Sequence, residues 1–521
     1  MRLVYKHLIN AALILVLLTG VNKLTAQDRY GDKWVVSAPV VKADATQAAF
    51  SNTVMCTTDT LEIGISNACI SDANGNLQFF SNGVNLYNSH CQIIKNGADI
   101  NNFAGTSWET LKYDQTIQGT LIIPQPDSKS LYWVFHFFAL DTSGTIGGYS
   151  GPLAMRLRLT IVDMQGDSGR GEVISKEVIL ENTPMASSKL TACKHANGRD
   201  WWIVKTGAPD SNLYYKFLLS PDGLSGPFIQ SVGPKLTTNF SSSAASYGGT
   251  SAFSNDGTKF AVASTSGPIV VMDFNRCTGE FGRYFTLLNR YDAAPSSYGA
   301  AALAFSPSGR FLYVTTLYSL NQYDLDASPT DSVRLLTLPN QAIDPGNWLI
   351  FIPQLAPNGK IYFSTANGGV PAYHVIHYPD KLGTDCMFVA FGQSIDILSG
   401  YANTGHIPNM PNYRLGKLAG SPCDTLVSVG IPQLSRQEGF TARFAPNPAQ
   451  GFTTLYYQIE EGSTATLALY NHLGQTCLQL TLSGNTTQID VPIGNLMQGI
   501  YFYKVSNANG EAISGKLDIF K

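Results

Sequence analysis

The stretch Ala252-Phe-Ser-Asn-Asp-Gly-Thr-Lys-Phe-Ala-Val-Ala-Ser264 decides the fold class of this chain. It consists of a short apolar run, a polar turn that contains a glycine, and a second apolar run. The same arrangement recurs at Ala304–Thr315 and at Gln354–Thr365. A glycine between two such runs is typical of a β-hairpin whose turn requires a positive φ angle. Each stretch is therefore predicted to form two antiparallel strands.

The hairpin repeats along most of the chain. Looser copies lie at 71–81, 125–136 and 194–206, so six turns follow one another at intervals of about 50 to 70 residues, centred on Gly75, Ser128, Gly198, Gly257, Gly309 and Gly359. A second signal keeps the same period, because Asp163, Asp273 and Asp324 each end an apolar run and lead into a polar turn.

A period of this length, built from short strands, predicts an all-β fold with a β-propeller of about seven blades. One blade cannot bury both of its faces, so the blades are expected to stack in a ring over residues 30 to 410. Trp34-Val35-Val36 is a candidate strand for closing that ring. The alternative is a pair of β-sandwiches, which would not repeat one turn at one spacing so many times.

The last 80 or so residues form a separate small β module. Alternating runs such as Thr466–Tyr470 and Tyr501–Val505 predict half-buried strands, and Asn509-Gly510 predicts a two-residue hairpin turn. Ordered motifs lie at Ala445-Pro-Asn-Pro448, Leu473-Gly-Gln475, Met497–Tyr501 and Gly515–Lys521. The plain interpretation is an ordinary immunoglobulin-like appendage, a small β-sandwich.

These motifs resemble the C-terminal sorting domain of cargo of the type IX secretion system of Bacteroidetes. The residues that carry the resemblance are Pro446, Asn447, Pro448, Gly474, Gly499, Gly515 and Lys516. The resemblance implies recognition by the type IX machinery, passage through the periplasm to the outer surface or medium, and removal of the module by cleavage before Phe444.

The N-terminus agrees with export. Two cations precede the apolar run Ala11–Leu18, and Ala26 offers a cleavage position, so residues 1–26 are predicted to be a signal peptide. The apolar run is too short for a transmembrane anchor. The predicted organisation is then a signal peptide at 1–26, a propeller at 27–415, a linker at 416–439 and a sorting domain at 440–521.

Composition narrows the function classes. Without residues 1–26 the chain has 31 basic and 37 acidic side chains, so nucleic acid is an unfavourable partner. Only 14% of residues are charged, which is typical of a secreted, turn-rich β protein. The eight cysteines include no C-x-x-C pair, so disulfides or buried thiols are favoured over metal ligation.

Residues 55–415 also resemble the propeller region of large gliding-motility-associated surface proteins of Bacteroidetes. The resemblance rests on Cys69–Gly83, Asn88-Ser-His90, Lys95-Asn-Gly97 and Lys194–Trp202. These are mainly turn and strand residues, so they imply a fold more than a chemistry.

Motifs that could carry chemistry have simpler interpretations. Gly166-Asp-Ser-Gly169 is expected to be a hairpin turn rather than a protease nucleophile motif, and Asp72–Asn76 a turn rather than a calcium loop. His374 and His377 are predicted on opposite faces of a strand. His195 is expected to cap a turn through its ring nitrogens. No catalytic, cofactor-binding or metal-binding residue is therefore assigned, and no cofactor is expected.

Tryptophans and short Asp-Ser/Thr tripeptides are candidate surface sites for sugars. Trp108, Trp201, Trp202 and Trp348 could stack on sugars at a rim, although core packing is the favoured role. Thr425, in Asp424-Thr-Leu426, resembles a Bacteroidetes O-glycosylation site, as do Thr60 and Ser332 in similar tripeptides.

The sequence predicts a secreted or cell-surface binding or structural protein that binds a surface glycan or protein. The alternative is a propeller hydrolase or lyase acting on a carbohydrate or lactone. Acidic groups or a cation at the mouth of the central channel would favour the enzyme, and an apolar lining would favour ligand capture.

Overall fold

The structure is a computed structural model, and it describes residues 28–36, 40–45, 50–56, 61, 63–101, 116–139, 154–183, 185–186, 188–208, 211–236, 249–264, 268–287, 302–315, 320–327, 335–337, 350–365, 372–395, 406–424, 441–460, 462–471, 475–507 and 512–520. These residues form an all-β protein that divides into two compact units, residues 1–424 and 425–521.

The described part of the first unit contains seven small antiparallel sheets, each formed by consecutive strands. Sheet 1 contains β1 Lys33–Val36, β2 Val40–Ala45 and β3 Phe50–Cys56; sheet 2 contains β4 Ala68–Ser71, β5 Leu77–Ser81 and β6 Leu86–Asn88; sheet 3 contains β7 Thr120–Pro124, β8 Leu131–Ala139, β9 Ala154–Asp163 and β10 Glu172–Glu181; sheet 4 contains β11 Leu190–Lys194, β12 Trp201–Thr206, β13 Leu213–Ser220 and β14 Gly223–Ser231.

The remaining sheets of this unit follow the same plan. Sheet 5 contains β15 Ser251–Phe253, β16 Lys259–Val262, β17 Ile269–Asn275 and β18 Glu280–Leu287; sheet 6 contains β19 Ala302–Phe305, β20 Phe311–Thr315, β21 Leu320–Asp324 and β22 Leu335–Thr337; sheet 7 contains β23 Pro353–Leu355, β24 Ile361–Phe363, β25 Ala372–Ile376 and β26 Phe388–Ser394. Short helical turns lie at Gly166–Gly169 and Gly383–Cys386.

The six predicted hairpins are present, and each joins the first two strands of a sheet. The five glycines at the turn centres, Gly75, Gly198, Gly257, Gly309 and Gly359, all have positive φ angles between 73° and 86°. In the third strands, Asp163 ends β9 and Asp324 ends β21, while Asp273 is two residues from the end of β17. The period read from the sequence is therefore the period of the sheets.

The first strands of successive sheets contact one another in the order β1, β4, β7, β11, β15, β19 and β23. Apolar side chains pack between neighbouring sheets; one cluster, for example, joins Trp202 and Tyr214 of sheet 4 to Phe260 and Met272 of sheet 5. The sheets thus share their cores with their neighbours, and their first strands lie next to one another in chain order.

One strand assignment needs correction. Trp34-Val35-Val36 was expected to close the ring, but β1 pairs along its whole length with β2 of its own sheet. The physical reason is that the described strands of sheet 1 all come from the N-terminal residues, and β1 is the first of them. Trp34 instead contacts sheet 7 through its side chain, with a ring separation of 5.9 Å from Tyr362.

The second unit contains β27 Thr441–Gln450, β28 Phe452–Gln458, β29 Thr464–Tyr470, β30 Thr476–Ser483, β31 Gln488–Val491, β32 Gly499–Asn507 and β33 Ala512–Phe520, in the sheet order β30-β29-β32-β33-β27-β28-β31. A short parallel pairing of β27 with β33 joins its two halves. Both halves contribute side chains to one buried core, such as Phe444 and Leu455 from one and Leu467 and Tyr503 from the other.

Candidate functional site

Residues of the first strands β1, β11, β15, β19 and β23 line a cavity of about 460 Å³ in the first unit. Its described lining comes mainly from the first strands of sheets 4 to 7 and from an extended segment, residues 406–416, which we call the strap. Propeller and barrel proteins commonly bind ligands at such a central opening. This cavity is therefore the candidate site of the first unit.

The strap lies against the first strands of several sheets. The backbone N–H of Asn409 donates to the Asn67 carbonyl, just before β4, at 2.7 Å. The side-chain Nδ2 of Asn409 donates to the carbonyls of Thr120 in β7 and Leu190 in β11, both at 3.0 Å. One asparagine thus joins the edges of three consecutive sheets.

Other strap residues extend these contacts. The Tyr413 hydroxyl donates to the Ile122 carbonyl of β7 at 2.7 Å, and Asn412 Nδ2 donates to the Asn255 carbonyl at 2.8 Å. Arg414 forms an ion pair with the buried Asp32, just before β1. The strap therefore has polar contacts with residues in or beside sheets 1, 2, 3, 4 and 5, and Gln354 of sheet 7 also donates to its Met410 carbonyl.

The end of the strap is anchored to sheet 5. Arg276, only 2% exposed, donates to the carbonyls of Lys194, His195, Asp256 and Gly416. These carbonyls belong to the turns of sheets 4 and 5 and to the strap. Because each acceptor is a backbone oxygen, one buried cation satisfies polar groups of three segments.

The chain beyond the strap also packs on the first unit. A disulfide links Cys423 to Cys277, in the turn after β17, and Leu418 N–H donates to the Ala196 carbonyl. The structure thus places residues 416–424, the first part of the predicted linker, within the first unit. Cys91 is also disulfide-bonded, while Cys69, Cys193 and Cys386 are buried free thiols.

Most side chains in the described lining of the cavity are uncharged. Among the described residues that line the cavity there is no Asp, Glu, His or Lys, and Arg414 is the one charged side chain. The Cys193 thiol also lines the cavity, and burial raises its pKa to about 12, which disfavours the nucleophilic thiolate. The described lining therefore offers no carboxylate, imidazole or amine as a general acid or base, although it includes hydroxyl groups such as those of Ser251 and Tyr413.

His195 has the turn-capping role expected from the sequence. Its Nδ1 accepts the Asn197 backbone N–H at 3.1 Å, and its Nε2 lies 2.8 Å from the Cys277 carbonyl. The side-chain atoms of His195, Cys277 and Cys423 lie within 4.8 Å of one another, a spacing that a metal ion requires. The two sulfurs are bonded to each other, however, so this group does not fit a metal ion.

The other interpreted motifs are turns. Gly166–Gly169 contains left-handed Asp167 and Ser168, and Arg170 pairs with Asp167 through two hydrogen bonds. Asp72 accepts the backbone N–H groups of Asn74 and Asn76, so its carboxylate is already used within its own turn. Neither arrangement has the geometry of a protease nucleophile or a calcium loop.

The histidines and tryptophans singled out in the sequence have different positions in the fold. His374 is fully buried in β25, whereas His377 follows the end of that strand. Trp201 and Trp202 are buried, and Trp202 Nε1 donates to the Arg276 carbonyl, which excludes sugar stacking at a rim. Several other positions lie outside the described residues: Trp108, Trp348, Thr60, Ser332, Thr425, Gly474, Asn509-Gly510 and the predicted signal peptide.

Buried ionisable groups were not predicted from the sequence. His136 in β8 lies between Asn101 and Thr160, and burial, with nearby Arg158, lowers its pKa to about 3. Burial also lowers the pKa of Lys189 to about 7 and that of Lys205 well below its ordinary value. The Lys205 amine donates to the Thr206 carbonyl at 2.7 Å and lies above the Phe137 ring. No local motif marks these positions, since their burial comes from neighbouring sheets.

In the second unit, Asn447 and Lys516, two of the residues that carry the resemblance to sorting domains, contact each other. Asn447 reaches across to β33, where its Nδ2 donates to the Lys516 carbonyl at 2.7 Å and its Oδ1 accepts the Asp518 N–H at 2.9 Å. Lys516 pairs with Asp518 at 3.1 Å. The peptide bonds before Pro446 and Pro448 are both cis. The motif near the start of the module therefore binds the motif at its end.

Gly515 has a close neighbour. A Cβ at this position would lie 2.6 Å from the Tyr503 ring. That ring packs edge-on against Phe444, with centroids 5.0 Å apart, and its hydroxyl donates to the Ala442 carbonyl. Gly515 is thus required by packing in the core, whereas Gly499 opens β32 with a φ of 152°.

Residues 443–519 match the family described as the secretion system C-terminal sorting domain. The second unit is therefore a sorting domain of the type IX secretion system, which indicates export to the cell surface or secretion. A search of curated proteins finds no significant match to the sequence. Among the described residues, no helix has the length and apolar character needed to span a membrane.

Similar solved structures are distant. The extracellular domain of a putative hybrid two-component system from B. thetaiotaomicron is 11% identical, with a TM-score of 0.36, and the alignment covers 96% of this chain and 58% of that one. A functionally unknown protein from Desulfotomaculum acetoxidans is 12% identical, with a TM-score of 0.35 and coverages of 73% and 98%. The Cps50 (Swd1) β-propeller domain from Myceliophteria thermophila is 10% identical, with a TM-score of 0.30 and coverages of 78% and 97%. The chain spans less than two thirds of the first of these proteins, and TM-scores this low assign neither fold nor function.

Proposed function

We propose that the first unit is a closed seven-bladed β-propeller that acts at the cell surface or in the medium as a non-catalytic binding protein. The type IX machinery exports it by means of the second unit. The observation that carries this proposal is the lining of the central cavity, whose described residues include no carboxylate, histidine or lysine.

Contacts between successive sheets support the closed ring. Each first strand from β1 to β23 contacts the next one, and the side chain of Trp34 in sheet 1 reaches Tyr362 in sheet 7. Phe50 of sheet 1 also stacks on Tyr362, with ring centroids 4.7 Å apart. The first and last sheets therefore share a core, as a ring without strand exchange requires.

The chemistry of the cavity supports binding without turnover. Hydrolysis of glycosides ordinarily needs a pair of carboxylates, and hydrolysis of lactones or esters needs an activated nucleophile or a metal-bound water. The Arg414 guanidinium is paired with Asp32, and the strap fills part of the space that a substrate would use. A lining without a carboxylate, histidine or lysine among its described residues can hold a ligand but lacks the usual groups for proton transfer at neutral pH.

A substrate panel tests this proposal. Purified residues 27–424 are expected to hydrolyse no lactone, ester or glycoside, with or without added divalent cations. The assay also includes the full chain, so that loss of the second unit cannot explain a negative result. Turnover that disappears on substitution of one Asp, Glu or His in the first unit would refute the proposal.

A further inference from the structure

We propose that the open part of the central cavity binds an uncharged, mainly apolar small molecule that carries a carbonyl or ether oxygen. This inference rests on the proposed binding function and specifies the class of ligand. It follows from the shape left by the strap, the apolar walls and two buried donors.

The described polar contacts of the strap do not include sheet 6. The strap's described hydrogen bonds and ion pairs reach residues beside sheets 1 to 5, and Gln354 of sheet 7 donates to the Met410 carbonyl at 3.3 Å. In the part of the chain that the structure describes, no polar contact joins the strap to β19 of sheet 6. The remaining volume of about 460 Å³ lies within the range of small-molecule sites.

The walls of this space are largely apolar. Phe253, Phe305, Pro307, Pro357 and Met410 are among the residues that line it. Burial of an apolar ligand surface against such groups is favourable, because water is released from both surfaces. The walls therefore favour a ligand with an aromatic or aliphatic body.

Most polar groups of the lining already have partners. Gln118 exchanges two hydrogen bonds with the backbone of Ser251, both at 2.9 Å, and so connects sheets 3 and 5. Thr250 Oγ1 accepts the Leu303 N–H at 2.9 Å, and Asn412 is bonded to Asn255. Few groups remain to satisfy the many hydroxyls of a sugar.

Three buried donors in the lining have no hydrogen-bond partner among the described residues: Nε1 of Trp34, Oγ of Ser251 and Nε of Arg414. Arg414 already forms an ion pair with Asp32 through another nitrogen, so the two uncharged donors, Trp34 and Ser251, each 1% exposed, are the ones considered for the ligand. Buried donors are almost always hydrogen-bonded in native proteins. An acceptor oxygen on a bound molecule would satisfy them.

Charge excludes ionic ligands from the same space. Arg414 is the one charged residue of the described lining, and it pairs with the buried Asp32, which also pairs with Arg29. A cation would lose its hydration without gaining a counter-charge, and an anion would have to compete with Asp32 for Arg414. The ligand is therefore uncharged.

Photolabelling with benzophenone provides a direct test on the full chain. Benzophenone is uncharged, mainly apolar and carries one carbonyl, and on irradiation it bonds covalently to nearby C–H groups. Saturable labelling is expected at Met410 and at cavity-facing residues of β15, β19 and β23. The charged analogue 4-benzoylbenzoate is expected to label these positions at least tenfold less at the same concentration.

Matched variants identify the donors. Ser251→Ala and Trp34→Phe are each expected to raise the concentration for half-maximal labelling by roughly two- to tenfold, the effect of one lost hydrogen bond. Ser71→Ala removes another buried hydroxyl without a partner, but this residue lies outside the cavity, so no change is expected. If Trp34→Phe fails to fold, the labelling of Ser251→Ala alone tests the inference.

Labelling scattered over the surface, or equal effects of Ser251→Ala and Ser71→Ala, would overturn the inference and leave water as the partner of these donors. That outcome without substrate turnover would leave the proposed non-catalytic function intact. Turnover in the substrate panel would instead contradict the function itself.

Discussion

Arg276 joins three segments of the first unit through one buried side chain. Its four carbonyl acceptors come from the turns of sheets 4 and 5 and from the strap. Burial lowers the pKa of this guanidinium, although the group remains charged. Single residues of this kind, rather than any recurring motif, hold the strap in the centre.

Two turn glycines with the same backbone conformation are expected to differ in how well they tolerate substitution by alanine. Gly257 and Gly359 have φ angles of 73° and 77°. A Cβ at Gly257 would lie 2.5 Å from Cys193 Sγ and 2.9 Å from Arg276 Cδ, whereas a Cβ at Gly359 would meet nothing within 4 Å.

Gly359→Ala is therefore expected to cost about 1–2 kcal/mol, for the left-handed backbone alone. Gly257→Ala adds steric overlap and is expected to cost clearly more. Chemical denaturation of residues 27–424 measures both values. Equal losses of stability would contradict the close packing around Gly257.

His136 predicts the direction of one pH dependence. Its pKa is about 3 in the folded protein, against an ordinary value of about 6.5. Below pH 6.5 the unfolded chain binds a proton that the folded chain does not accept until about pH 3, so stability from this group falls as the pH decreases through that window.

The expected slope is up to about 1.4 kcal/mol for each pH unit. His136→Gln is expected to flatten it, and His90→Gln, at an exposed position, provides the control. Unfolding free energies between pH 4 and 7 measure the effect. An unchanged slope in His136→Gln would show that His136 is not the group responsible.

At the scale of elements, the hairpins were predictable and the strap was not. A turn such as Ser306–Gly309 is set by neighbouring residues, so its signal lies within one short stretch of sequence. Asn409 of the strap bonds to Thr120 and Leu190, which are 289 and 219 residues away. Contacts over such separations leave no local pattern, and the chain there resembles a linker rich in proline and asparagine.

The same reasoning applies to the candidate site. The cavity could not be located from the sequence, because its lining comes from several sheets and from the strap. The burial of Lys189, Lys205 and His136 could not be predicted, because each is covered by a neighbouring sheet. The pairing of Cys277 with Cys423 was one of many possible combinations.

The disulfide after the strap predicts a measurable contribution to stability. It links residues 146 positions apart and fixes the end of the strap to sheet 5. Replacement of both Cys277 and Cys423 by Ser is expected to lower the stability of the first unit by about 2–5 kcal/mol, since a cross-link restricts the unfolded chain.

Denaturation of the full chain, followed by Trp fluorescence, measures this loss. Cys477→Ser is the matched control, because Cys477 is a free, exposed thiol in the second unit. Full retention of stability in the Cys277→Ser, Cys423→Ser variant would contradict the anchoring role of the disulfide.

At the scale of the whole molecule, the two units have separate tasks. The second unit is the sorting domain, and each unit has its own buried core. Truncation after Asp424 is expected to leave the first unit folded but retained in the periplasm. Cell fractionation measures its location, and undiminished display of the truncated chain at the surface would refute this division of tasks.

Gly515→Ala tests the packing of the sorting domain by adding one methyl group. The added methyl would overlap the Tyr503 ring, so the second unit is expected to lose stability and the chain to be exported poorly. Gly451→Ala is the control, because its Cβ would meet nothing within 4 Å, so that only the left-handed backbone at a φ of 77° costs stability, by about 1–2 kcal/mol. Equal export of both variants would contradict the packing role of Gly515.

An experimental structure of residues 27–424 tests the central claim most directly. We expect one closed ring of seven sheets, with β1 next to β23, the Asn409 amide bonded to Thr120 and Leu190, and a central cavity without carboxylates in its lining. Two separate sandwiches, a strap outside the ring, or a cation held by carboxylates at the mouth of the cavity would contradict it.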